Sequence, residues 1–401
     1  MGWKDWVYGD LVSAADFQSL VQDQTIQRYA DSATRSSTLG SAVAEGMVSY
    51  LDSTNQVEVY DGSSWGSISS AGSGNAIING AFEINQRNFS SSSSGGYGFD
   101  RWRTSTDGVG LTYTAQSFTP GAAPVAGYEA KNFARLVTTG QTSTGTYSLL
   151  EQPIEDVRSF AGQTITISFW AKAASGTPKI ALEFYRYYGS GGSPSADEPL
   201  TVSAVTISTS WTRYSVTYAM PSISGKTVGS TTPGAVVLGM WVSAGSSFNA
   251  RASSIGIQSN TFDIWGVQVE AGSTATAFKR NAPSIQAELA ACQRYYQRFG
   301  GLNTYQTFGW GLADQSTTAI INVPLPVTMR VAPASVEFST LNLTTGGTNT
   351  AVTGLTILSS NSGNGIAVVY PTTSGGLTQY RPYGLTANNS TSGYLGLSAE
   401  L

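Results

Sequence analysis

The sequence predicts a mainly β protein: an antiparallel β-sandwich and a C-terminal β domain joined by a short helix, with a small α+β region in front. Three observations predict it. Segments of strand length, TITISFWAKA (164–173), KIALEFYRYY (179–188), SWTRYSVTYAM (210–220), AVVLGMWV (235–242) and NTFDIWGVQVE (260–270), succeed one another across Gly, Ser and Pro loops with no helical stretch between them. That order excludes a parallel sheet, whose crossovers need helices. Only 11% of the 401 residues are charged, yet 40% are hydrophobic and nine are Trp, so the chain can build real cores while its solubility rests on hydroxyls and backbone. Finally, FDIWGVQVEAG (262–272) reads as a buried strand stopped by a Gly turn, and PSIQAELAACQRYYQRF (283–299) after it reads as a helix.

Residues 1–72 form the first predicted region. Trp3 and Trp6 open it, and Ser13-Ala14-Ala15-Asp16 is a capping box before a helix with Phe17, Leu20 and Val21 on one side, running towards Arg35. MVSYL, QVEVY and SSW follow, split by DSTN and Asp61-Gly62 turns, and predict a three-stranded meander. So small a sheet buries little, so Trp3, Trp6, Phe17 and Leu20 are expected against another chain, as an attachment surface. Ser67 to Gly74, SISSAGSG, has the composition of a linker.

Residues 73–282 carry the predicted sandwich. In 164–173 the apolar side is Ile165, Ile167, Phe169 and Ala171, which puts Ser168, Trp170 and Lys172 on the other face. Likewise Ile180, Leu182 and Phe184 point inward, leaving Glu183, Tyr185 and Tyr187 outward, and Trp241 is out of phase with Leu238, Met240 and Val242.

Residues 283–300 follow as a helical clamp. Ile285, Leu289, Cys292, Tyr296 and Phe299 are spaced 4, 3, 4 and 3, the seam of a helix meeting partner helices, and predict an oligomer. Cys292, the single cysteine, is read as a small buried hydrophobe. Residues 301–401 contain five charged residues, Asp314, Arg330, Glu337, Arg381 and Glu400, among short strands with Gly and Asn turns. A sandwich this poor in charge has sticky edges, so this domain is expected to pack against copies of itself.

Charge and motifs narrow the function. The net charge of −4 divides into nine acids and three bases in 1–72, twelve and fourteen in 73–282, and four of each in 283–401, so no segment forms a basic nucleic-acid surface. Met1-Gly2-Trp3-Lys4-Asp5 does not begin a secretory signal, Gly2 lacks the downstream hydroxyl a myristoylation site needs, and no apolar run approaches the ~18 residues of a membrane span. Histidine is absent, which removes Ser-His-Asp and Cys-His catalysis and His-based zinc sites, and no phosphate loop, CxxC or DxDxDG loop occurs. Glu151 with Glu155 and Asp156, or Asp197 with Glu198, are the remaining carboxylate pairs; they flank Pro residues and are read as solvated loops, so no enzyme and no cofactor are expected. The outward rings of Trp170, Tyr185, Tyr187 and Trp241, beside amine and carboxylate groups, suit a pyranose with its apolar C–H face and hydroxyl rim, and are the candidate glycan site. The competing reading is that they pack against a loop or a second subunit.

AIINGAFEINQR (76–87), GFDRW (98–102), ISFWAKA (167–173), DIWGVQVEAGSTATAFKR (263–280) and CQRYYQRF (292–299) resemble segments of tailed-bacteriophage fibre and minor tail proteins. The resemblance runs over roughly 73–300. It implies a jelly roll similar to carbohydrate-binding modules, a trimer, an N-terminal region bound to other virion proteins, and a surface facing host polysaccharide or lipopolysaccharide. It places the chain in the virion, assembled in the bacterial cytoplasm, with a capsid-attached fibre or decoration protein and a polysaccharide-cleaving tailspike as alternatives. Related jelly rolls often hold Ca²⁺ where first and last strands meet, which here points to Glu83 and Asp263. One acid at each end is thin coordination for an ion wanting six to eight oxygens, so both are read as structural carboxylates and no metal is expected.

Overall fold

The computed structural model describes Ser13 and residues 26–53, 56–67, 74–125 and 128–401, and divides into two units, 1–73 and 74–401. In the first unit the expected meander forms, β2 Val48–Leu51, β3 Gln56–Tyr60 and β4 Trp65–Ser67, and a further strand, β1 Gln27–Tyr29, pairs parallel to β2. That strand corrects the predicted helix running towards Arg35. Asp31 starts a separate helix, Ser32–Leu39, by accepting a 2.7 Å bond from the Thr34 N–H. Arg35 from this helix is buried against the sheet, bonded to Ser49 Oγ at 2.8 Å and to Glu58, with its guanidinium 3.9 Å from the Trp65 ring. A paired charge thus takes the place of an apolar plug; among the described residues of this unit only Tyr29 and Leu51 are buried hydrophobics. Trp3, Trp6, Phe17 and Leu20 lie outside the described residues.

The second unit opens with twelve strands: β5 Ser91–Ser92, β6 Gly96–Tyr97, β7 Arg103–Thr106, β8 Leu111–Ser117, β9 Asn132–Thr138, β10 Tyr147–Glu155, β11 Thr164–Ala173, β12 Lys179–Tyr187, β13 Glu198–Thr206, β14 Thr212–Ala219, β15 Ala235–Ala244 and β16 Asn260–Ala271. They make two six-stranded antiparallel sheets in the orders β13-β12-β15-β10-β7-β6 and β14-β11-β16-β9-β8-β5, a jelly-roll sandwich. The core between them is the one alternation predicts: Ile165, Ile167, Phe169 and Ala171 meet Ile180, Leu182, Phe184, Leu238, Met240 and Val242, all fully buried. Each large side chain buried here contributes roughly 1.5–3 kcal/mol.

Nine further strands follow: β17 Tyr296–Gly300, β18 Thr307–Ala313, β19 Ala319–Pro324, β20 Ser335–Ser339, β21 Leu341–Thr345, β22 Thr348–Ile357, β23 Ile366–Thr373, β24 Pro382–Ala387 and β25 Tyr394–Ser398. Six close into a barrel, β18-β19-β23-β22-β21-β24, and three form a sheet, β17-β25-β20. Closure removes the open edges of the barrel, so the sequence argument for association through sticky edges does not hold there.

The predicted clamp is also corrected. The helix spans Ile285–Gln293, and Tyr296 and Phe299 belong to β17, so the five seam positions do not share a helix. Ile285 is exposed, Leu289 half-buried, and Cys292 is buried as expected, which pushes its thiol pKa up. The physical reason is that Tyr-Tyr-Gln-Arg-Phe favours a strand once β25 is present to pair with it. Tyr296 is buried within the chain beneath Arg87, whose guanidinium lies 3.6 Å from the ring, and a Cβ on Gly396 would sit 2.5 Å from its hydroxyl. Arg101 beside it is fully buried, stacked 3.5 Å from Tyr295 and bonded to Glu400 and the Pro153 carbonyl. Burial raises the neighbouring Asp100 carboxyl to about 6, against Arg87 and two Gln86 hydrogen bonds that lower it. These contacts tie the sandwich to the C-terminal part. Among the described residues no helix is long and apolar enough to cross a membrane.

Candidate functional site

Alternation along four adjacent strands places one set of side chains on the outer face of the β13-to-β6 sheet. Glu183, Gly239, Glu151 and Arg103 stand in one cross-strand row; Tyr185, Val237 and Pro153 form the next, and Ala181, Trp241, Leu149 and Ser105 the one on its other side. Gly239 keeps the middle of this face low: a Cβ there would lie 3.1 Å from Leu149 Cδ1 and 3.6 Å from Trp241 Nε1.

Two carboxylates anchor the rows. Glu183, 1% exposed, accepts from Arg251 Nε at 2.7 Å, from Arg251 Nη2 at 2.8 Å and from Trp241 Nε1 at 3.1 Å. Three donors compensate the desolvated charge. Glu151 accepts from Arg103 Nε at 3.0 Å; burial pushes its carboxyl pKa up, and Arg103 opposes that shift. Arg251 also stacks, with its guanidinium carbon 5.1 Å from both the Tyr185 and Trp241 rings. The Tyr185 hydroxyl donates to Asp197 Oδ2 at 3.1 Å, which anchors the ring. Along this face run two adjoining depressions. One, about 350 Å³, lies among Arg103, Glu151, Tyr185, Trp241 and Arg251. The second, about 360 Å³, shares Arg103, Tyr185 and Val237 with it and is lined as well by Tyr187 and by Arg330 and Glu400 of the C-terminal part.

Of the four predicted ring positions the structure brings three together. Tyr187 is 41% exposed and Tyr185 half-buried, both lining the groove. Trp241 shares their face but is 1% exposed, roofed by Phe248 at 5.5 Å from the 245–256 loop, with Tyr147 at 6.2 Å. It supports the site as a wall rather than as an open platform. Trp170 is a correction: it stands on β11, in the other sheet, packed on Trp265 at 5.4 Å and Phe278 at 6.3 Å. A β-bulge puts Gly266 beneath it at φ 63°, where a Cβ would lie 2.9 Å from the Trp170 ring.

The carboxylates proposed as loop residues are mostly elsewhere. Glu151 and Glu155 lie on β10 and Glu198 on β13; Glu155 is held by Arg294 at 2.9 Å, and Glu198 by Lys226 and the Tyr188 hydroxyl. Asp156 stands beyond the strand end and bonds Arg158 at 3.1 Å. Glu83 takes Arg280 at 2.7 and 3.1 Å, and Asp263 takes Arg135 at 2.6 and 2.9 Å, so both act as structural partners of arginine. Sequence patterning assigns no site role to Arg103, Arg251, Tyr147 or Arg330. Their partners stand 48 or 68 positions away for Arg103 and Arg251, so only strand register reveals them.

No family model matches the chain, and no curated protein matches it. Solved structures similar to it include the Clostridium thermocellum endo-1,4-beta-D-xylanase 10B CBM22-1–GH10 modules complexed with xylohexaose, at 13% identity and TM-score 0.29, covering 52% of this chain and 30% of that one. A CBM22-1 xylan-binding domain from Paenibacillus barcinonensis matches at 12% identity and TM-score 0.28, covering 52% and 100%. A family 11 carbohydrate-binding module from Clostridium thermocellum, in complex with a mixed-linked tetrasaccharide, matches at 14% identity and TM-score 0.29, covering 46% and 100%.

Proposed function

We propose that this chain is a non-catalytic polysaccharide-binding protein that holds a glycan along the outer face of the β13-to-β6 sheet. The observation that carries this reading is the combination of open rings at Tyr185 and Tyr187 with two guanidinium–carboxylate pairs fixed beside them. Rings take the apolar face of a sugar, and pre-organised charged groups take its hydroxyls at little ordering cost. The carboxylates of this face are engaged by arginine, which suits recognition better than acid–base work.

The motif resemblance extends the proposal: a bacteriophage tail fibre, resident in the virion, that presents this groove to host surface polysaccharide or lipopolysaccharide. Assembly as a homotrimer belongs to the same proposal. Its support is the charge-poor barrel, whose exterior carries Trp310, 59% exposed, beside Leu312 and Ile320. Light scattering on the full chain tests it, and a monomer at micromolar concentration overturns it. For glycan binding, the double variant Tyr185→Ala and Tyr187→Ala is expected to reduce retention on purified host polysaccharide by about tenfold or more, an effect worth about 1.4 kcal/mol, with thermal unfolding nearly unchanged. Wild-type retention by the double variant would overturn the groove.

A further inference from the structure

We infer that the groove takes a polysaccharide bearing an anionic group, a sugar carboxylate or a phosphate, and that Arg330 of the C-terminal part reads that group. This inference rests on the polysaccharide reading above and deepens it. Among the arginines lining the two depressions, Arg103 is paired with Glu151 and Arg251 with Glu183. Among the described residues the Arg330 guanidinium bonds backbone carbonyls, Ala399 at 3.2 Å and Glu400 at 3.4 Å, and the Arg330 backbone N–H donates to the Arg294 carbonyl at 2.7 Å. Its guanidinium is therefore held in place, half-buried, with no side-chain carboxylate paired to it among the described residues, and Arg330 lines the second depression together with Tyr185 and Tyr187. The nearby Glu400 carboxylate does not neutralise it, because Arg101 and Arg87 hold that carboxylate. A fixed guanidinium with no carboxylate partner matches carboxylate or phosphate oxygens and forms charge-assisted bonds to them. The arrangement also makes the site composite. The sandwich supplies the rings, and the segment between β19 and β20 supplies the cation.

The test is affinity electrophoresis of the full chain in gels containing polygalacturonate, a phosphomannan or a neutral mixed-linkage β-glucan. Nonspecific attraction to polyanions is not expected of a chain with net charge −4. Wild type should be retarded more by one of the two anionic polymers than by the neutral one, and which polymer it is distinguishes carboxylate from phosphate. Arg330→Gln should lose about tenfold in affinity for that polymer while keeping its retardation on the neutral glucan, which also reports that the variant is folded. Arg330→Lys should recover part of the loss, and the same charge change at the exposed Arg381, Arg381→Gln, should have no effect. Equal retardation by anionic and neutral polymers, or an Arg330→Gln variant indistinguishable from wild type, overturns the inference and leaves the polysaccharide reading standing. Retardation by none of the three overturns both.

Discussion

The two sheets of the sandwich each turn a face of rings and polar groups away from the core, and the two faces have opposite fates. On the β14-to-β5 sheet, Trp170, Trp265, Tyr128 and Phe278 pack ring on ring at 5.0–6.3 Å, because the segment after β8 lays Phe118 and Tyr128 over the strands and the segment after β16 lays Phe278 over them. On the β13-to-β6 sheet the C-terminal part meets Arg103, which donates to the Leu401 carbonyl at 3.0 Å, and the 245–256 loop comes down with Phe248 and Arg251 and covers one corner. Beyond that corner Tyr185 and Tyr187 are left at the surface. The lesson is that facing away from the core does not make a residue accessible. Coverage is decided by which connection lands on the face and how many rings it brings.

The sharpest way to break this comparison is to remove one ring from each face. Trp265→Ala should destabilise the second unit by about 3–5 kcal/mol, since a fully buried indole leaves a cavity, whereas Tyr187→Ala should change stability by about 0.5 kcal/mol or less. Urea midpoints measure both, and similar shifts would erase the distinction between the covered and the open face. Next in size, Trp170→Ala should cost about 2–3 kcal/mol and leave polysaccharide retention at the wild-type level, because that ring belongs to the packed cluster. A loss of retention without a loss of stability would return Trp170 to the site. Glu183→Gln should cost about 1–3 kcal/mol, since it removes the buried bidentate partner of Arg251, a side chain itself about a third exposed, and it should also weaken retention by freeing the loop that shapes the groove. Stability lost with retention intact would mean the loop is merely a cover.

The smallest expected effect is a pH dependence confined to the open face. Burial raises the Glu151 carboxyl above its usual range, so with rising pH the unfolded chain releases that proton before the folded one does. Between the ordinary Glu value and the raised one, the unfolded state binds fewer protons, and stability from this group falls as pH rises. The wild-type melting temperature minus that of Glu151→Gln should therefore fall as pH rises through and above the ordinary Glu range. A difference that grows over this range would show that Arg103 outweighs burial there.

The inward set of β11, β12 and β15 was legible in the sequence because strand alternation is a local property, and it survived folding unchanged. The ring set was legible in part: Tyr185, Tyr187 and Trp241 share a face because parity along β12 and β15 says so, but nothing in the parity of Trp170 reveals that it occupies the other sheet. The spacing of Ile285 to Phe299 misled for a different reason. A nine-residue helix of about two and a half turns followed by a strand can reproduce a 4-3-4-3 pattern, and only the partner strand Tyr394–Ser398 decides between them.

By itself the sequence determined the mainly β class, the content of the sandwich core and the absence of histidine chemistry, because composition and two-residue periodicity act over neighbouring residues. The tertiary structure alone decided that the barrel closes, that Glu183 meets Arg251, that one outer face is roofed while the other stays partly open, and that Arg330 lines the groove. Each of these joins residues far apart in the chain, through strand register and loop landing, and such contacts leave no local pattern to read.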